Sequence, residues 1–592
     1  MRTDVTGPSC TSISALLTAL RAGDTSPTEV VDAVADRIDA RGQDGVWITV
    51  VDRVHLQQRA AHLEADPSAR DLPLYGVPFA VKDSLDVAGL PTTCACPDYA
   101  YEPDTTAPVV ARLLAAGAVL VGKTNLDQFA TGLNGTRSPY GIPANVHGGD
   151  LVPGGSSSGS ALAVATGQVP FAIATDTAGS GRVPAALNGI IGFKPSRGLL
   201  STVGLVPACR SLDCVSVMAT TVEDVRRVLD VTAGVDDDDP WTRPRQRRSV
   251  RRPRIGLPAA AELDFLGDEP MRRAHGAART GLHEVGDVLP VPARPFLAAG
   301  DLLYQGPWVA ERLVEFDDFL TRSPGSVHPV VASILEGGRR WTAVDAFRAA
   351  YRLQELKAEV DRLFTAVDVV VLPTIATTYT VAEVLADPIA ANTALGLYTH
   401  CGNLLDLCAV AVPAGYTDDG RPCSLMVLGP ALADDVVLDV AARLTGAAPL
   451  AAAAGEADPS TTEVVVVGHH LSGQPRNGEL TGRGGVLLAS TTTSRAYRLL
   501  RIDGPVAVPA LQRSPGDGAA IEVELWQLPA AALPGFLAGL PDVLALGRVQ
   551  LADGRTVPGL VGYAAALAGR PVTDITAAGG WRAHLARDLA PL

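Results

Sequence analysis

At 592 residues the chain is too long for a single ordinary hydrophobic core, and two or more domains are expected. Hydrophobic residues make up 47% and charged residues 19%, a balance that favours folding and excludes a wholly disordered chain. The net charge of −15 disfavours a nucleic-acid backbone as the main partner, and no uncharged apolar run reaches the roughly 18 residues of a membrane span.

Taken in order, MRTDVTGPSC lacks the basic-then-apolar pattern of a secretory leader, so a cytoplasmic protein is expected. Ser26-Pro27-Thr28-Glu29 reads as an N-cap, a proline at N1 and a capping-box glutamate, and Val30, Val34 and Ile38 then recur at helical spacing over 26–40. A strand at 77–81 ends at Lys82. Cys94 and Cys96 form a lone C-x-C with no second pair at zinc-site spacing, so the eight cysteines read as buried reduced thiols and no metal is expected. A short apolar run, 118–121, precedes GKTNLDQFATG. Residues 158–166 read as a helix of small residues and 171–175 as a buried strand ending at Asp176. VDDDDPWTRPRQRRSVRRPR (235–254) sets an acidic run beside a basic one and reads as a charged surface loop. Helical spacing over 307–320 would put Trp308 and Arg312 on one face. The apolar runs 367–372 and 407–412 each end at a proline. Strands alternating with helices predict an α/β layered domain over 1–448.

PLAAAAGEADPSTT (449–462) reads as a linker, and the texture changes beyond it. EVVVV (463–467) predicts a strand and IEVELW (521–526) alternates. A hairpin turning at Asp553-Gly554 joins 547–551 to 555–561. Residues 463–592 therefore read as a separate, smaller α+β domain.

The chemistry gathers around three residues. Ser156 lies in LVPGGSSSGSA (151–161) and Ser180 in ATDTAGSGRVPA (174–185), with Lys82 upstream in GVPFAVKDSLD (76–86). A serine hydroxyl needs an adjacent base, and a lysine serves only when neutral, a form that burial favours. Lys82 ends an apolar strand, which suits this. Asp83 beside it would favour the charged form unless its side chain turns to the other face. Glycines around Ser180 allow a close backbone approach, and the amides of Thr177, Ala178, Gly179 and Ser180 are candidates for an oxyanion hole. Ser156 is placed to relay a proton between Lys82 and Ser180. Neither serine stretch has the Walker or dinucleotide glycine pattern, although plain loops of glycine and serine remain an alternative reading of each.

Together, GVPFAVKD, GKTNLDQFATG, PGGSSSGSA, DTAGSGRVPA and GFKPSRG, spread over 76–216, resemble the amidase signature family. The resemblance implies a mixed β-sheet core flanked by helices, amide hydrolysis without a cofactor, and a homodimer. It also implies Lys82 as base, Ser156 in a cis peptide arrangement, and Ser180 as nucleophile. The commoner family pattern D-x-G-G-S-I-R is replaced here by Asp176-Thr177-Ala178-Gly179-Ser180-Gly181-Arg182, which keeps every backbone amide.

The choice of amide rests on a different segment. In LLYQGPWVAER (302–312), an arginine is suited to grip a carboxylate and Tyr304 can add a hydroxyl; a core Trp308 with a surface Glu311–Arg312 pair is the plain alternative. The segment resembles the specificity segment of the allophanate hydrolase branch of the family. VVVGHHLSGQPRNGELTGRGG and DITAAGGWRAHL resemble the C-terminal domain of that branch. This implies that Tyr304 and Arg312 hold the carboxylate of allophanate, a small molecule released as ammonia and carbon dioxide. It further implies that a histidine of the second domain, His470 rather than His469, serves decarboxylation. Without the resemblance, both histidines read as structural, since no zinc-binding spacing accompanies them. A separate urea carboxylase or biuret hydrolase would supply the substrate. The other readings are a different amidase, the amidase component of a tRNA-dependent amidotransferase, and a non-catalytic scaffold of the same fold.

Overall fold

The computed structural model describes residues 12–250, 252–304, 306–447, 461–504, 507–563 and 570–588. They belong to two compact units, one within Met1–Arg245 and Pro253–Pro449, the other within Gln246–Arg252 and Leu450–Leu592.

The first unit is built on a mixed sheet. Its strands are β1 (Trp47–Val50), β2 (Pro78–Lys82), β3 (Val119–Thr124), β4 (Phe171–Asp176), β5 (Ile191–Lys194), β6 (Cys214–Ala219), β7 (Arg254–Leu257), β8 (Asp287–Pro290), β9 (Val369–Pro373), β10 (Cys408–Tyr416) and β11 (Pro422–Gly429). Their spatial order is β1-β3-β2-β4-β6-β5-β10-β11-β9-β7-β8. Parallel pairing joins β3, β2 and β4 at one side and β9, β7 and β8 at the other, with antiparallel strands between. Every residue of β2, β3, β4 and β6 is buried, which is why 77–81, 118–121 and 171–175 read as short apolar runs rather than alternating ones. Phe79 of β2 and Phe171 of β4 stack with ring centroids 5.3 Å apart and fix the two strands that end at Lys82 and Asp176.

Local signals formed as expected in several places. The helix Pro27–Arg41 carries the complete Ser26–Glu29 capping box. Ser158–Ala165 is a buried helix whose small side chains let it lie close to β4. The structure differs from expectation in three places. The helix expected over 307–320 is broken into Trp308–Glu311 and Leu313–Arg322, with Arg312 at the junction. β10 runs through Pro413 to Tyr416, with a register shift against β11 after Pro413. The stretch from 235 is only partly the expected surface loop: Asp237, Asp238 and Arg247 are exposed, but Asp236 accepts from Ser201 Oγ at 2.6 Å, Asp239 from the Thr202 amide at 2.7 Å, and Arg243 pairs with Asp406 at 2.9 Å. These three charges are held by partners distant in sequence.

The linker expected over 449–462 lies outside the described residues up to Ser460. The strands of the second unit are β12 (Thr461–Val466), β13 (Val486–Thr492), β14 (Tyr497–Ile502), β15 (Val508–Arg513), β16 (Glu522–Pro529), β17 (Leu544–Gln550), β18 (Thr556–Gly562) and β19 (Val572–Asp574). They form sheets of order β13-β16-β12-β18-β17 and β15-β14-β19. β17 and β18 form the expected hairpin, with Gly554 at φ 88° in its turn. The core is aliphatic around Trp526, Trp581 and Phe536, and the helices of this unit are short.

Candidate active site

Lys82 is completely buried at the C-terminal end of β2. Its Nζ donates to Ser156 Oγ at 2.8 Å and to Thr175 Oγ1 at 2.7 Å. Desolvation brings its pKa down to about 7, against the opposing charges of Asp127, Cys94, Asp176 and Asp213. Asp83 does not hold it in the charged form: its carboxylate turns to Lys123, 3.1 Å away, and to the Thr93 amide at 3.0 Å. The alternation of the strand thus gives each buried lysine its own surroundings.

Ser156 follows a cis Gly155–Ser156 peptide. Its carbonyl accepts from the Asp127 amide at 3.0 Å. The Asp127 carboxylate in turn accepts from the amides of Gly135 and Arg137, each at 3.0 Å. A Cβ on Gly155 would collide with Asp127 Oδ2, so glycine is required there for the close approach. Asp127 and Thr175 are residues that sequence reasoning passed over. Both stood inside quoted motifs, but nothing in their spacing pointed them at Lys82 or Ser156.

Ser180 sits in the turn between β4 and the short helix Val183–Leu187. The turn is built around Asp176, whose carboxylate receives the Gly179 amide at 2.8 Å, the Gly181 amide at 3.1 Å and both Nε and a terminal nitrogen of Arg182 at 2.9 Å. Burial raises the Asp176 pKa, but the Arg182 guanidinium outweighs it and holds the group below its ordinary value. From the other side Thr399 Oγ1 donates to the Ala178 carbonyl at 2.8 Å, and Asn403 Nδ2 to that of Asp176 at 2.7 Å. Gly179 has φ 130°, and a Cβ there would strike Thr399 Oγ1. One of the four expected oxyanion donors is therefore committed elsewhere. The Gly179 amide points at Asp176, because the turn needs it to close, while Thr177, Ala178 and Ser180 lie outside that grip.

Arg312 is 2% exposed, which removes the surface-pair alternative. Glu311 turns instead to the amide of Ser211 at 2.7 Å, and Arg312 donates to Thr131 Oγ1 at 2.8 Å. The approach is set by aromatic packing. Phe316, one turn along, lies against Phe129 with centroids 4.4 Å apart, and Tyr99 and Phe319 close the cluster. Phe129 and Ala130 adopt left-handed φ values of 54° and 50°, an uncommon conformation that turns the chain into Thr131. Arg137 holds the same residue by its carbonyl, at 2.8 Å. Trp308 is half-buried, and the side chain of Tyr304 lies outside the described residues.

Asp213, 3% exposed, lies between these parts. It accepts from the Thr177 hydroxyl, and from the amides of Ala208 at 2.9 Å and Cys209 at 3.1 Å. Burial raises its pKa to about 6, against the Thr177 hydrogen bond, the Cys209 amide and the Arg312 charge.

In the second unit His470 is buried, with Nε2 3.3 Å from Glu479 Oε2 and its ring edge-on to Phe536. Burial lowers its pKa, so the neutral ring is favoured. His469 Nε2 lies 2.7 Å from the Ala507 carbonyl. Both line a cleft of about 390 Å³ with Arg476, Val508, Pro509 and Leu544. No cluster of three or more potential metal ligands occurs among the described residues. No helix among them is long and apolar enough to cross a membrane.

A mixed α/β fold with a smaller second unit is what comparison with known proteins bears out. The chain belongs to the amidase family: the Amidase pattern matches residues 29–438, and the allophanate hydrolase C-terminal domain pattern matches 462–586. The chain is 38% identical over 584 residues to the urea amidolyase of Saccharomyces cerevisiae, covering 94% of this chain and 32% of that one. Its fold superposes on the crystal structure of Kluyveromyces lactis allophanate hydrolase with a TM-score of 0.73 at 35% identity, covering 98% of this chain and 99% of that one. A glutamyl-tRNA(Gln) amidotransferase component from Symbiobacterium thermophilum is 35% identical over 460 residues, 71% of this chain and 93% of that one. The chain spans about a third of the length of the yeast urea amidolyases it matches.

Proposed function

We propose that this protein hydrolyses allophanate, the carboxylate-bearing form of urea. Ser180 attacks the terminal carbamoyl carbon as its proton passes through Ser156 to neutral Lys82. The amides of Thr177, Ala178 and Ser180 stabilise the tetrahedral oxyanion, with Gly179 fixing the turn. Collapse expels ammonia, and water releases N-carboxycarbamate from the serine by the reverse proton path. The product loses carbon dioxide and breaks down to ammonia and carbon dioxide, so the chain needs no cofactor. His470, buried and neutral in the lining of the second unit's cleft, handles the proton of decarboxylation.

The observation that carries this reading is the buried Arg312. Its guanidinium donates to Thr131 Oγ1 at 2.8 Å, and Arg137 joins the Thr131 carbonyl to the Asp127 carboxylate, whose own amide holds the Ser156 carbonyl, so the charge is built into the loop that carries the proton relay. A buried guanidinium attracts an anionic substrate and gains nothing from a neutral amide. Tyr304, at the end of the helix Arg294–Tyr304, is assigned to the same carboxylate. The division 1–448, linker 449–462 and 463–592 accommodates acylation in the first part and decarboxylation in the second. The amidotransferase relatives match the first part, so the second unit favours allophanate over a tRNA-dependent reaction.

A urea-carboxylating or biuret-hydrolysing activity would supply the substrate in the cytoplasm. A homodimer is supported by Val344, Phe347 and Tyr351, which lie 57%, 63% and 67% exposed along the helix Ala343–Ala366. Light scattering at twice the chain mass of 61.2 kDa is the expected result, and a monomer at all concentrations rejects it. The activity is tested by ammonia release from allophanate, biuret, glutamine and simple amides. Allophanate is expected to have the highest kcat/KM, and equal turnover of a neutral amide would sink the assignment.

A further inference from the structure

We propose that Asp213 is a positioning residue that sets the nucleophile turn through the Thr177 side chain and ties that turn to the loop on which the Arg312 helices rest. The positioning role rests on the serine-amidase reading of Ser180 alone, and the link to Arg312 on the carboxylate-bearing substrate proposed above.

Thr177 lies between Asp176 and Ser180, and its hydroxyl donates to Asp213. The other oxygen of the same carboxylate receives the Ala208 and Cys209 amides, and the Cys209 amide also reaches the first oxygen. This loop then meets the specificity segment at two points. Cys209 Sγ donates to the Trp308 carbonyl at 3.5 Å, and the Ser211 amide donates to Glu311 at 2.7 Å. Trp308 and Glu311 bound the short helix that ends at Arg312. One carboxylate thus has the oxyanion turn on one side and the carboxylate-binding segment on the other. A residue that merely closed the 209–212 turn would need the two loop amides and not the Thr177 hydroxyl. Asp213 has no place among the proton-transfer groups, since it touches neither Lys82 nor a serine hydroxyl. Both its oxygens face donors, so an amide side chain would set an N–H against one of them.

The test compares Thr177→Val, Thr177→Ser and Asp213→Asn in the full chain. Two readouts are used: the rate at which a fluorophosphonate labels Ser180, and kcat and KM for the amide turned over best. The labelling rate needs no substrate assignment, so its outcome is separate from that of the allophanate reading. Thr177→Val is expected to slow labelling and kcat by about tenfold to hundredfold with KM within about twofold of wild type, the scale of a misplaced catalytic turn. Thr177→Ser, which keeps the hydroxyl, is expected to recover most of that loss. Asp213→Asn should add a rise in KM for a carboxylate-bearing substrate, and the double variant with Thr177→Val should label no more slowly than Asp213→Asn alone. Wild-type labelling in Thr177→Val overturns the proposal, as does a Thr177→Ser variant as slow as valine. An unchanged KM in folded Asp213→Asn removes the link to Arg312. If Asp213→Asn does not fold, the two threonine variants still decide the positioning role.

Discussion

The two units of this chain set their candidate catalytic groups in different surroundings. In the first, Lys82, Asp127, Asp176 and Arg182 are fully buried, and each is engaged by hydrogen bonds that fix its position. In the second, His469 and His470 line an open cleft lined mainly by apolar side chains, and the buried acid Glu524 is occupied by Ser472, Trp526 and Arg582. The difference follows from the chemistry proposed for each. Acyl transfer from an amide needs a neutral amine, an activated hydroxyl and fixed amides together, and only a dry, rigid site moves a lysine pKa to about 7. Loss of carbon dioxide from an unstable dicarboxylate demands far less preorganisation.

The contrast breaks most sharply at the nucleophile. Ser180→Ala is expected to lower kcat by on the order of 10⁴- to 10⁶-fold, the range found for removal of a serine nucleophile. Unchanged ammonia release in that variant would discard the mechanism. Arg312→Ala follows, with an expected cost of about 2–5 kcal/mol in kcat/KM for allophanate, by analogy with truncation of a buried charge pair. A normal specificity constant there would place substrate recognition elsewhere.

The electrostatic side of the contrast is read from a pH profile. Burial lowers the Lys82 pKa, so the neutral amine that accepts a proton becomes the main form only above about pH 7. Activity should therefore climb about tenfold per unit below that pH and level off above it. A profile flat from about pH 5 to 9 would show that Lys82 is not the base. The smallest effect is expected in the second unit. His470→Ala should leave the first ammonia release unchanged while slowing appearance of carbon dioxide, measured in the same stopped assay. Equal rates of carbon dioxide release would remove the role given to that histidine.

Much of this site was readable along the chain because each part of it is local. Lys82 ends an apolar strand, Ser156 opens a helix of small residues, and Ser180 stands among the glycines that follow a buried strand; pattern and composition reach such features over a few residues. The amidase family and the division into two parts were likewise carried by long ordered motifs. Tertiary structure decided the rest. The choice of Arg312 as a buried guanidinium depends on Phe316 packing against Phe129, which lies far away in sequence. The commitment of the Gly179 amide depends on how the turn folds back onto Asp176, and the capture of Asp83 on where Lys123 falls one strand over. The anchoring of Asp236, Asp239 and Arg243 within the charged stretch could not be read locally, because their partners Ser201, Thr202 and Asp406 lie on other segments. The reason is physical: local sequence sets dihedral preferences and which face is apolar, while the direction of a buried charge is set by partners that only the folded chain brings within hydrogen-bond reach.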